Sequence, residues 1–194
     1  FTRYRSRFKA RLGRCFMVPA DTFDNVKGQF PIGFFVWHTG DHIVFDETIV
    51  DIYNSECYPC GKKCISSYSH DTNIIEWLRR FYDKESHKIG YLRMNGTNVQ
   101  NNLGIFLTQQ LTPNDLHNHF YAEVSERNAL EMALYFTVRK VIVDVWQNDR
   151  DQYLEPNDGW KSDGEFQGDC LVFTLFHGQN RISCEHGVNH WIPF

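Results

Sequence analysis

No stretch of this 194-residue chain approaches the roughly 20 apolar residues that a membrane-spanning helix needs. A membrane protein of the helical kind is therefore not expected. There is no basic-then-apolar leader ending in a small-residue cleavage site, so nothing marks the chain for export. Internal repeats and low-complexity tracts are absent, which excludes solenoid and fibrous architectures. Three catalytic signatures are missing as well: Gly-x-Ser-x-Gly, a phosphate-cradling glycine loop and His-Glu-x-x-His. Hydrolysis through a nucleophile elbow, nucleotide-triphosphate binding and zinc-protease chemistry lose their usual supports.

What is present is ordinary for a soluble chain. Hydrophobic residues make up 42% and charged residues 23%, and aromatics at 15% supply enough bulk for a sizeable core. The length fits one large domain, or one domain plus part of another. Charge is uneven: Arg3, Arg5, Arg7, Lys9, Arg11 and Arg14 open the chain with no acid among them, and the rest is acidic. An acidic body excludes wholesale phosphate binding and asks for a local basic face if nucleic acid is the partner. Six cysteines in a chain too large for a disulfide-stapled scaffold point to the reducing cytoplasm. The first residue, Phe1, is not Met, and the chain reads as an excised piece of a longer protein.

Periodicity predicts the elements. Phe1, Tyr4, Phe8 and Leu12 have helical spacing up to Gly13. Cys15–Val18 and the continuous run Ile32–Trp37 predict two strands of a hairpin around a loop from Ala20 to Phe30, the second strand buried. Residues 43–53 predict more strand, and Gly61-Lys62-Lys63 a turn. Asn73 to Lys84 predicts a helix. His87–Met94 and Leu103–Thr108 predict strands around the polar loop Asn95–Asn102. A long helix is expected from Ser125, as N-cap, to Gln147, with Ala129, Met132, Phe136, Leu134, Val138, Val141 and Val145 inward. A turn-rich loop fills 149–164, and a last helix is expected over Phe166–His177 with Leu171, Val172, Leu175 and Phe176 buried.

Two clusters carry candidate chemistry. Cys57, Cys60, Cys64 and His70 offer four soft ligands within fourteen residues, enough for a zinc tetrahedron. The same thiols equally suit a reduced hairpin tip, and no second ligand module accompanies them. In the polar loop, Asn95, Asn98, Gln100, Asn101 and Asn102 can read adenine bidentately, or simply form a solvated turn. Pairs of histidines, His117 with His119 and His186 with His190, suit surface positions better than a metal site.

Three longer segments carry a resemblance. They are Phe16–Gly28 leading into Phe30–Trp37, Arg139–Gln152, and Asp169–Phe176 running on through Gln179–Ser183 to Asn189–Phe194. Together they resemble the C-terminal region of bacterial restriction–modification N6-adenine DNA methyltransferases. The resemblance implies a mixed α+β fold: residues 1–40 as the late hairpin of the catalytic sheet, and 41–194 as a target-recognition-like region. It implies that the parent enzyme moves a methyl group from S-adenosylmethionine to adenine N6. This chain lacks the early cofactor loop and the Asn-Pro-Pro-Tyr-type motif, so it holds no catalytic residue, binds no cofactor and is inactive alone. Phe23 matches the place of the aromatic that stacks on the flipped adenine; a core role in the hairpin is its alternative. Lys62, Lys63, Arg93, Arg127, Arg139 and Lys140 are the cations expected to reach phosphate of double-stranded DNA. Two rivals remain: a protein-interaction domain that docks to a restriction–modification subunit, and a small zinc-stabilised module.

Overall fold

Alternation of apolar and polar side chains builds the first sheet. The structure, a computed structural model, describes residues 8–66, 72–118, 120–184 and 187–188. The fold is mixed α+β, and the chain divides into two units: Phe1–Ser69 with Val145–Arg150, and His70–Asp144 with Asp151–Phe194.

In the first unit, β1 (Arg11–Pro19) and β2 (Pro31–His38) form the expected antiparallel hairpin, with Phe16 opposite Phe34. β3 (Glu47–Tyr53) then lies parallel to β1, and β4 (Pro59–Ser66) antiparallel to β3, giving the order β2-β1-β3-β4. Because β3 pairs directly with β1, the hairpin's unit runs to Ser69 and does not stop at residue 40. One face buries Cys15, Met17, Val50 and Ile52, with Leu12 and Trp146 against them. Full burial of side chains of this size contributes about 1.5–3 kcal/mol each. Burial, with the Asp51 carboxylate adding to it, pushes the Cys15 thiol up to about 11 and keeps it neutral.

Three expectations change here. Leu12 belongs to β1 and not to a helix, while Phe1 and Tyr4 of that expected helix lie outside the described residues. Register slips between Leu12 and Arg14, and Gly13 sits at the irregularity; a Cβ there would come within 2.5 Å of the His38 ring. Gly61-Lys62-Lys63 is strand, not turn. The turn lies earlier, where the Asn54 side chain accepts from the backbone of Glu56 and Tyr58 and Cys57 adopts φ 65°. The predicted strand at Ile32–Trp37 forms, but it is not buried. It is an edge strand, with Phe34 37%, Phe35 42% and Val36 50% exposed. Successive side chains point to opposite faces, so each face of β2 keeps exposed apolar surface.

The second unit stacks helices on a sheet of order β7-β5-β6-β8, formed by β5 (Lys88–Met94), β6 (Phe106–Thr108), β7 (Phe120–Ser125) and β8 (Asn180–Arg181). Two short strands, β9 (Ser183–Cys184) and β10 (Gly187–Val188), pair with each other. α1 (Ile74–Arg79) starts where Asn73 Oδ1 accepts from the Ile75 and Glu76 amides, 3.1 and 3.0 Å. Its Ile74, Trp77 and Leu78 join Leu92, Met94, Ile105 and Leu107 in the core. α2 (Pro113–Asn118) and β7 occupy a stretch with no predicted element.

α3 (Ala129–Val141) is shorter than predicted at both ends. Ser125 ends β7, and Asn128 makes the junction: it accepts from Ser125 N and donates to the carbonyls of Phe81 and Glu123. The helix stops at Val141, and the β-branched residues Val141, Ile142 and Val143 at its end are exposed, as is Val145. α4 (Gly164–Phe176) forms as predicted but faces the other way. Cys170 and Thr174 are inward, while Leu171, Val172, Leu175 and Phe176 face out. Small and hydroxyl side chains allow close contact with α3: Thr137 donates to the Cys170 carbonyl and Thr174 to the Ala133 carbonyl, both at 3.2 Å.

Candidate functional site

The loop that joins β1 to β2 holds Phe23 outside the core. It is closed at its base by Ala20 N donating to the Phe30 carbonyl, 2.9 Å. Inside it, a 3-10 turn at Ala20–Thr22 lets Phe23 N donate to Ala20 O, and Asn25 takes φ 66°. The Phe23 side chain is 44% exposed, and its ring centroid stands 6.2 Å from that of Phe34. Phe34 in turn stacks on Phe16 at 4.9 Å, and Phe16 meets Tyr53 edge-on at 6.0 Å. Phe23 is therefore the outermost ring of an aromatic row, with one side supported and the other open. Such a ring can lend stacking energy of about 1–3 kcal/mol to an unpaired base.

The polar loop of the second unit encloses a buried arginine. Val99–Gly104 winds as a 3-10 helix, and the loop closes on the Arg139 side chain of α3. Arg139 is fully buried. Its Nε donates to Asn102 Oδ1 at 2.8 Å, Nη1 to Gly96 O and Tyr135 OH, and Nη2 to Asn95 O and Asn98 O. An arginine has five N–H donors, and here every one has an acceptor. The guanidinium also lies 4.7 Å from the Tyr153 ring centroid, a cation–π contact. Asn102 is buried too, donating to Tyr153 OH at 3.0 Å, and Asn101 donates to Asn98 Oδ1. Burial pushes the Tyr135 phenol up to about 12 despite the neighbouring guanidinium. Residues 95–102 and Arg139 thus form one internal network, and this conformation leaves Arg139 no N–H for a phosphate.

The other cations divide. Lys140 Nζ donates to Asn102 O at 2.7 Å, and burial followed by Arg139 lowers its pKa. Arg93 pairs with Asp115 at 3.0 Å, both largely buried, and lies against the Phe106 ring. Lys63 Nζ donates to Gln147 O at 2.6 Å. Lys62 is exposed, 3.6 Å from Asp51, an exposed pairing of little energy. Arg127 is exposed in the turn before α3, with no ion-pair partner among the described residues. Lys62 and Arg127 are the two candidates that present their charge to solvent.

His177 closes α4 and titrates against the fold. Burial, then Lys140, lowers its pKa, and its Nδ1 accepts from Gln179 N at 3.0 Å. The native imidazole is held neutral, so the unfolded chain binds more protons near pH 6.5. Its contribution to stability is complete above that pH and is lost as pH falls through the lowered native value. The urea midpoint is expected to drop between about pH 7 and pH 5, and His177→Asn, which keeps an acceptor, to flatten that drop. An unchanged slope in the variant counts against this assignment.

Among the described residues the cysteines form no metal-holding group. Cys57, Cys60 and Cys64 are exposed free thiols. Cys60 and Cys64 lie four residues apart on β4, about 13 Å at a strand's rise. His70 lies outside the described residues, as do His119, His186 and His190. Among the described residues no three His, Cys, Asp or Glu side chains are placed to hold a metal ion, and no helix is long and apolar enough to cross a membrane.

Sequence reasoning singled out Phe23 but missed the row behind it and the two tyrosines around Arg139. The alternation of Phe16 with Phe34 across a hairpin was a usable signal for the row. The i, i+4 spacing of Tyr135 and Arg139 on the predicted helix was a usable signal, while nothing local marked Tyr153. Set against known protein families, curated proteins and solved structures, the chain matches none.

Proposed function

We propose that this chain is the C-terminal, DNA-recognition-associated part of an S-adenosylmethionine-dependent adenine-N6 DNA methyltransferase, inactive by itself. The observation that carries the reading is β2. Its run Ile32-Gly33-Phe34-Phe35-Val36-Trp37 is apolar toward both faces, yet among the described residues it ends its sheet and Phe34, Phe35 and Val36 stay 37%, 42% and 50% exposed. Strands with that composition belong inside larger sheets covered on both sides. The resemblance of the same residues to a late catalytic hairpin supplies the larger sheet. In that setting Phe23 stacks on the extruded adenine, and Lys62 and Arg127 are the cations open to phosphate.

The chain should bind duplex DNA weakly, through few phosphates. A fluorescence-anisotropy titration with a duplex oligonucleotide is expected to give measurable binding at about 0.05 M salt and none at about 0.5 M. A second reading has its own support: the outward row Leu171, Val172, Leu175 and Phe176 on α4 suits docking to a restriction–modification subunit. Such an apolar interface keeps its affinity in high salt. Binding to a subunit with none to DNA would move that reading ahead.

A further inference from the structure

We propose that Asp21 is the positioning residue that holds Phe23 ready to stack on a base, by tying its loop to the β3–β4 turn. This inference rests on the reading of Phe23 given above. The Asp21 carboxylate bridges the two. Its Oδ2 accepts from Gln29 Nε2 at 2.7 Å, at the far end of the Phe23 loop. Its Oδ1 accepts from Ser55 Oγ at 2.8 Å, in the turn that Asn54 organises. One carboxylate therefore closes the loop on itself and anchors it to a second element. Hydrogen bonds to an ionised acceptor are the stronger kind.

The geometry explains why an acid stands here. Two donors approach from two directions, and only a carboxylate offers an unshared oxygen to each. Phe23 lies in a loop outside the strands, 44% exposed, with its ring near Phe34. Its placement depends on the loop backbone: the Phe23 amide on Ala20 O, the Val26 amide on Phe23 O and the closing bond from Ala20 to Phe30. Asp21 lies inside that frame, two residues from the ring it steadies. Without it, the ring spends more time away from Phe34, and a base gains less from meeting it.

The test uses the full chain and a short single-stranded DNA with a central adenine. Stacking on a phenylalanine ring moves the adenine H2 and H8 resonances upfield. The wild type should give this shift at saturation, and Phe23→Ala should abolish it. Asp21→Ala is expected to reduce the saturating shift at least about threefold, with the backbone amide resonances of β1 and β2 in place. Asp21→Glu, which keeps two oxygens, should restore much of it. Ser55→Ala, which removes one arm only, should fall between. In the free chain, the nuclear Overhauser contact between the Phe23 and Phe34 rings should weaken in Asp21→Ala and survive in Asp21→Glu. If Phe23→Ala leaves the adenine shift unchanged, the stacking reading itself fails. If Phe23→Ala removes the shift but Asp21→Ala matches wild type, the positioning role alone is overturned. An unchanged ring contact in Asp21→Ala overturns it as well, whatever the oligonucleotide does.

Discussion

Arg139→Met is expected to cost the second unit about 3–5 kcal/mol of stability, in the range seen when one partner of a buried charged network is removed. Methionine roughly fills the space of the arginine stem, so the cavity contribution is small. The loss comes from the acceptors left behind. The carbonyls of Asn95, Gly96 and Asn98 and the Asn102 side chain all point at the guanidinium. A buried acceptor without its donor costs about 1–3 kcal/mol. Arg139→Lys should recover only part, because one ammonium has three donors and cannot reach five acceptors. Urea unfolding followed by tryptophan fluorescence measures this, since Trp77 and Trp160 lie in the same core. The result also separates two roles for Arg139. A phosphate-binding arginine would lose DNA affinity on mutation with stability unchanged; the buried network predicts the reverse order of effects. A variant within about 1 kcal/mol of the parent would contradict the network.

The second large effect concerns β2. If this strand is an inner strand of a larger sheet, its outward amides should exchange with solvent far more slowly in a gene product that carries the rest of that sheet than in this chain alone. An edge strand leaves alternate N–H groups to water, whereas an inner strand bonds them on both sides. Amide exchange over Pro31–His38 is expected to slow by at least about a hundredfold, which is the equivalent of a local opening free energy some 2.7 kcal/mol higher. Peptide-resolved hydrogen–deuterium exchange on both proteins reads it directly. Equal exchange in the two would remove the observation on which the proposed function stands.

Strand and helix positions were legible wherever periodicity ran long, as in β1, β2, β5, α3 and α4. Side-chain direction was less so. The row Leu171, Val172, Leu175 and Phe176 reads as a core face because it is apolar, yet α4 turns Cys170 and Thr174 inward. Close helix packing, with hydroxyls bonding carbonyls across it, outweighs hydrophobicity there, and pattern alone cannot register backbone approach. The burial of β2 was misjudged for a related reason: the run has the composition of an inner strand, while among the described residues single aromatic rings cover it only in part. The start of α3 moved because Asn128, not Ser125, turns the chain, through bonds to Ser125 and Glu123 of β7 and to Phe81. At the candidate site, Phe23 could be named from the resemblance, while Asp21 could not, since its partners Gln29 and Ser55 are distant in sequence. The polar loop looked like a reader of bases because amides are chemically suited to it. Its role in enclosing Arg139 depends on backbone carbonyls, which no side-chain pattern reveals.

The most direct test of the central claim is methyl transfer by the whole gene product in which this chain occurs. Purified from its source, it should be incubated with S-adenosylmethionine and duplex DNA, and the hydrolysed nucleosides resolved by mass spectrometry. The account predicts N6-methyladenine from a product longer than this chain, and none from the chain alone. A native product no longer than this chain, or a longer one that leaves adenine unmodified, would contradict it.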